Sequence, residues 1–70
     1  MRWNYRIVRK QGVLAVFEVY YDEDGKPETC TADPVAPQGE TLDELRGDLE
    51  HYVAALASPI LDIEQFRNQW

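Results

Sequence analysis

The residues that could do chemistry are few and stand apart. His51 is the only histidine and Cys30 the only cysteine, so the sequence assembles neither the clustered ligands of a zinc site nor a nucleophile beside its base. On a helix, the neighbours of His51 one turn away are Gly47, Asp48, Ala54 and Ala55. These supply a carboxylate for a surface contact and no second ligand. Asp22-x-Asp24-Gly25 has the opening of a calcium loop, but that motif needs glycine at its sixth position and a bidentate glutamate at its twelfth. This chain has Pro27 and Asp33 there, and a hairpin turn accounts for the residues better. General acid–base work requires a desolvated carboxylate in a cleft. Gly12, Gly25, Gly39 and Gly47 are scattered singly, which gives no glycine-rich phosphate loop. The expectation is a protein that is not an enzyme and carries no cofactor or metal.

Charge is the more informative signal. The net charge is −6 and it is divided along the chain. Arg2, Arg6, Arg9 and Lys10 open it without an acid, whereas residues 18–50 carry eleven acids against Lys26 and Arg46. An acidic body suits a basic partner, or a surface that keeps a small protein in solution. Arg2, Arg6 and Lys10 interleaved with Trp3 and Tyr5 are the one feature with the composition of a nucleic-acid contact, since aromatics stack bases and cations meet phosphates. Nucleic acid is nevertheless disfavoured, because the acidic body would make such binding weak and salt-sensitive.

Stepping along the chain, residues 3–9 alternate, with Trp3, Tyr5 and Ile7 on one side and Asn4, Arg6 and Val8 on the other, the period of a half-buried strand. Gln11-Gly12 is a tight turn into a second strand, Val13 to Tyr21. Its Val13, Ala15, Phe17, Val19 and Tyr21 define the core face, and Leu14, Val16 and Tyr20 lie on the reverse with Glu18. Asp24-Gly25 turns the chain into a third strand from about Pro27 to Ala32, and the prolines at 34 and 37 mark a loop. Thr41-Leu42-Asp43-Glu44 is a capping box. Leu42, Leu45, Leu49, Tyr52, Val53 and Leu56 then recur at helical spacing, a stripe expected to pack on the sheet. Gly47 inside that helix predicts a close approach of its backbone to the sheet. Ser58-Pro59 ends the helix, and Asp62-Ile63-Glu64-Gln65 caps a short last turn holding Ile63 and Phe66.

The expected architecture is one α+β domain over residues 1–70: a three-stranded antiparallel β-β-β-α meander with one amphipathic helix on one face and a short C-terminal helical turn. The longest apolar runs fall short of the ~20 residues that span a bilayer, and the opening residues lack the pattern of a signal peptide, so a cytoplasmic protein is expected. A three-stranded sheet leaves two edges, and the outer face is half apolar. Both features favour pairing with a second copy or a partner, with Leu14, Val16, Tyr20, Phe66 and Trp70 as candidate contacts of a dimer.

The stretch from Phe17 to Leu56 resembles the HicB-like antitoxin domain through Asp24-Gly25, Pro34-Val35-Ala36-Pro37 and Gly39-Glu40-Thr41-Leu42-Asp43-Glu44-Leu45. The Pro-Gly-Cys segment usual in that family's loop is missing. The Asn4-Tyr5-Arg6-Ile7-Val8-Arg9 opening is also similar to that of short bacterial and phage proteins. The resemblance implies a protein that binds and neutralises a small basic RNA-cleaving toxin. Asp22, Glu23, Asp24, Asp43, Glu44 and Asp48 are then the candidate partner contacts. A homodimeric structural domain, and a nucleic-acid contact through the first strand, are the alternatives.

Overall fold

The computed structural model describes residues 2–67. Two long strands, β1 (Trp3–Lys10) and β2 (Val13–Tyr21), pair antiparallel along their whole length, from Trp3 opposite Tyr20 to Lys10 opposite Val13. Gln11 and Gly12 between them both hold positive φ, +53° and +79°. That is the two-residue turn whose backbone twist matches the strands it joins. The second turn differs. Asp22 accepts the Gly25 amide on its carbonyl and the Asp24 and Lys26 amides on Oδ1, and Gly25 alone takes positive φ, +80°. An aspartate that caps its own turn this way stands in for backbone partners.

The sheet has four strands, not three, and is mixed. β3 (Pro27–Cys30) pairs antiparallel with β2, across a register shift at Tyr20/Tyr21. β4 (Leu61–Asp62) lies parallel to β1 opposite Val8 and Arg9, giving the order β3-β2-β1-β4. The chain beyond Cys30 leaves regular pairing but stays beside β2: Thr31 and Val35 donate their amides to the carbonyls of Glu18 and Val16. Two prolines in that stretch explain why it continues as an edge without a ladder.

The register sorts the side chains. Val8, Ala15, Phe17, Val19, Cys30 and Leu61 share one face, and there the core forms: Val8, Phe17, Val19, Cys30, Leu61 and Phe66 are buried, with Ala15, Tyr21 and Ile63 packed against them. What covers this face is the C-terminal segment. A 3₁₀ turn, Ile63–Gln65, is closed by a reciprocal capping box in which Gln65 Oε1 accepts the Asp62 amide at 2.6 Å. Beyond it Phe66 enters the core. Arg67 then donates its amide to the Glu28 carbonyl and its guanidinium to the Glu28 carboxylate, so the segment crosses from the β4 edge to β3. The edges expected to invite a second copy are therefore covered in part, one by β4 beside Val8 and Arg9 and one by the Arg67 amide at Glu28.

The opposite face carries Trp3, Tyr5, Ile7, Val16, Glu18 and Tyr20, and helix α1 (Leu42–Ala55) lies there over β1. Thr41 Oγ1 accepts the Glu44 amide, and Glu44 Oε1 reaches back to the Glu40 amide. Gly39 is required at this entry, because a Cβ on it would stand 2.5 Å from the Leu45 nitrogen and 2.8 Å from Glu44 carbon atoms. Gly47 is not required. A Cβ there meets nothing within 4 Å, which corrects the close approach expected of it.

Candidate interaction surface

The helix sits on the sheet through a polar, aromatic layer. Tyr5 and Tyr52 pack with ring centroids 4.5 Å apart and planes tilted by 41°, and Tyr5 meets Trp3 edge-on at 5.4 Å. Asp48 ties this layer to the loop: Oδ1 accepts from Tyr5 Oη at 3.1 Å and Oδ2 accepts the Gln38 amide at 2.9 Å. Desolvation, followed by the hydrogen bond to Asp48 and its charge, pushes the Tyr5 phenol up to about 12. Tyr52 is raised by desolvation and the Asp48 charge, and Tyr20 by its 2.7 Å hydrogen bond to Glu18 and by desolvation. These tyrosines stay protonated and hydrogen-bonding, which suits them as struts.

Because Asp48 holds the helix at that rotation, only one flank of its apolar arc meets the sheet. Ala55 is buried, and Leu45 and Tyr52 are partly so. Leu42, Leu49, Val53 and Leu56 remain 71%, 44%, 64% and 70% exposed, and Ile60 beyond them is exposed as well. The expectation that the whole stripe packs on the sheet is thus corrected. The apolar face of the sheet is filled by Phe66 and its neighbours, and the helix meets the half-polar one.

The structure separates the acids into two groups. Asp22, Glu23 and Asp24 lie at the β2–β3 hairpin, where Asp22 is committed to the turn while Glu23 and Asp24 are exposed. Asp43, Glu44 and Asp48 lie on the helix. There Asp43 pairs with Arg46 at 2.7 Å, Glu44 serves the cap, and both oxygens of Asp48 are used internally. Among the candidate dimer contacts, Leu14 is exposed and Val16 and Tyr20 are half-buried. Phe66 is 2% exposed and belongs to the core, so it is not presented to a second copy. Trp70 lies outside the described residues.

The basic strand is divided by its own pleat. Arg6 and Lys10 fall on the core face, and Trp3 and Tyr5 on the helix face with Arg9, so Arg6 and Lys10 do not share a platform with the two aromatics they alternate with in sequence. Arg6 donates to Tyr21 Oη and the Pro59 carbonyl, Lys10 to the Ala32 carbonyl, and Arg9 lies 3.9 Å from Asp62. Trp3, Asn4, Tyr5, His51, Ala54, Ala55 and Ser58 line a notch of about 360 Å³ at the C-terminal end of the helix. His51 is exposed on its rim. Among the described residues, no group of three or more His, Cys, Asp or Glu side chains could hold a metal ion, and no helix is long and apolar enough to cross a membrane.

No protein-family model matches the chain, and neither does any curated protein or solved structure. Sequence periodicity located the stripe but not its exposure. The missed signal was the run Ile60-Leu61-Asp62-Ile63 with Phe66, apolar enough to cover a sheet face and so to release the helix from that task.

Proposed function

We propose that this chain is a non-enzymatic protein-binding module whose contact surface is the outward face of α1. The observation that carries the reading is the exposure of Leu42, Leu49, Val53 and Leu56 on one helix while a separate apolar core is complete on the other side of the sheet. Contiguous apolar exposure on a small domain marks interaction surfaces, and an amphipathic helix face is a recurrent form of such a surface. The test is retention on an immobilised chain, wild type against the double variant Leu42→Ser, Leu56→Ser. Both side chains are largely exposed, so the thermal midpoint should hold. A protein retained by the wild type, whether the same chain or another, should be lost from the variant. Retention unaffected by the two serines overturns the reading.

A second reading, an antitoxin-like inhibitor of a basic partner, draws support from Glu23 and Asp24. Their residues are exposed at the hairpin tip, and their carboxylates make no hydrogen bond or ion pair among the described residues. Charge reversal at these two positions should abolish capture of a basic protein at low salt, where screening is weakest. Unchanged capture removes it.

A further inference from the structure

We infer that the outer edge of β1 at Trp3 and Tyr5 is a second docking site, which takes up an extended peptide segment of a partner protein as an added strand. The site is separate from the outward face of α1 and does not depend on it.

The tight turn at Gln11-Gly12 makes Lys10 and Val13 a hydrogen-bonded pair, and such pairs alternate along an antiparallel ladder. Even-numbered residues of β1 therefore bond to β2, in agreement with the Tyr21 amide on the Arg2 carbonyl. Odd-numbered residues turn their N–H and C=O groups to the outer side. β4 covers that side only beside Val8 and Arg9. Among the described residues, nothing bonds the main chain of Trp3 or Tyr5 there, which leaves two donors and two acceptors in a row. Another stretch of extended main chain is the ligand that matches such a row. Antiparallel addition satisfies all four groups with three residues, one opposite Trp3, one opposite Asn4 and one opposite Tyr5.

The surroundings define the side chains of that segment. Residues opposite Trp3 and Tyr5 fall on the helix face, where the notch of about 360 Å³ is lined by Ala54, Ala55 and Ser58. Trp3 is 49% exposed and the Tyr5 hydroxyl is held by Asp48, so an aromatic side chain finds ring surface already in place. The middle residue falls on the core face beside Asn4. There Arg6 Nη1 donates to Tyr21 Oη, and Tyr21 Oη to Asn4 Oδ1, at 2.9 and 2.6 Å. This chain leaves the Asn4 Nδ2 donor beside a guanidinium, and no carboxylate lines the notch. A negatively charged acceptor complements that position. The segment recognised is accordingly aromatic, acidic, aromatic. Three residues make a contact at the small end of protein interfaces, so the complex is transient.

The probe is acetyl-Ser-Phe-Asp-Phe-Ser-amide, titrated into the isotope-labelled 70-residue chain with amide exchange followed by NMR. Without peptide, the Trp3 and Tyr5 amides should exchange faster than those of Asn4 and Arg6, and saturating peptide should slow them at least about 10-fold. N-methylation of both phenylalanine amides removes two hydrogen bonds and should weaken binding about 10-fold or more. The same change at the aspartate amide, which faces away from β1, should cost less than about 3-fold. Lysine in place of that aspartate should weaken binding about 2–5-fold, and Ala54→Leu, which fills the notch, about 5-fold or more. No binding at millimolar peptide overturns the proposal, as does binding indifferent to the phenylalanine N-methyl groups. Trp3 and Tyr5 amides already protected without peptide also overturn it, in favour of a second copy where protection rises with protein concentration. The double variant Leu42→Ser, Leu56→Ser should bind the peptide unchanged. Its loss there would move the peptide to the α1 face, overturning the edge site and leaving the reading of that face intact.

Discussion

The two faces of the sheet are covered by different means. On one, Val8, Phe17, Val19, Cys30 and Leu61 are sealed by Phe66, and among the described residues no polar residue is buried as a whole, Arg6 bringing only its Nε out of solvent. On the other, the helix is seated on Tyr5, Tyr52 and Asp48, and its larger leucines point away. The apolar face holds the domain together, since transfer of hydrocarbon from water scales with area and needs no alignment. The tyrosine–carboxylate face gives less energy but fixes an angle, because hydrogen bonds are directional. Stability and the presentation of a surface are thus assigned to opposite sides of one sheet.

This division can be broken experimentally, and the largest effect belongs to the apolar face. Phe17→Ala should cost about 3–5 kcal/mol in denaturant unfolding, against a total of roughly 4–10 kcal/mol expected for 70 residues. A cost near 1 kcal/mol would show that the core is not concentrated there. Gly39→Ala drives a methyl group into the backbone at the start of α1 and should cost about 1–3 kcal/mol, with the loss of helical circular dichroism preceding unfolding of the sheet.

Tyr5→Phe removes the hydrogen bond to Asp48 and should cost about 1 kcal/mol. It also has a pH signature. The Tyr5 phenol is held at about 12 in the folded chain against ~10 unfolded, so the folded state keeps a proton that the unfolded state loses. The resulting stability is fully present below pH 10, declines as pH rises toward 12, and levels off above. Alkaline unfolding of the Phe variant should show less of this decline. Gly47→Ala, where the added methyl group has open space, should stabilise by about 1 kcal/mol through helix propensity alone, and a loss would mean that the helix sits closer to its surroundings than the structure places it.

Local chemistry was legible in the sequence. Gln11-Gly12 between alternating segments marked the first turn, Thr41 with Glu44 marked the start of the helix, and the alternation of Val13 to Tyr21 gave the core face. Each of these depends on a few adjacent residues. The two-residue β4 has no period to detect, and Leu61 pairs with Val8 only because the chain returns after the helix. The rotation of α1 was hidden for a similar reason. Leu42, Leu45, Leu49, Tyr52, Val53 and Leu56 make an arc wider than one contact, and which flank turns inward is decided by Tyr5 and Gln38, far away in sequence, acting on Asp48. The candidate acids fared unevenly for that same reason, since composition does not reveal that Asp48 and Asp22 are already occupied.

The crossing of Phe66 and Arg67 over the sheet has a consequence in time. Synthesis proceeds from the N-terminus at about 5–20 residues per second, so the strands and the helix leave the ribosome before the segment that seals Phe17. Until residues 61–67 arrive, one whole face of the sheet is bare, and chaperones that read exposed apolar surface have their opportunity then. For this chain, commitment to the folded state waits on residues 61–67, which follow everything they cover.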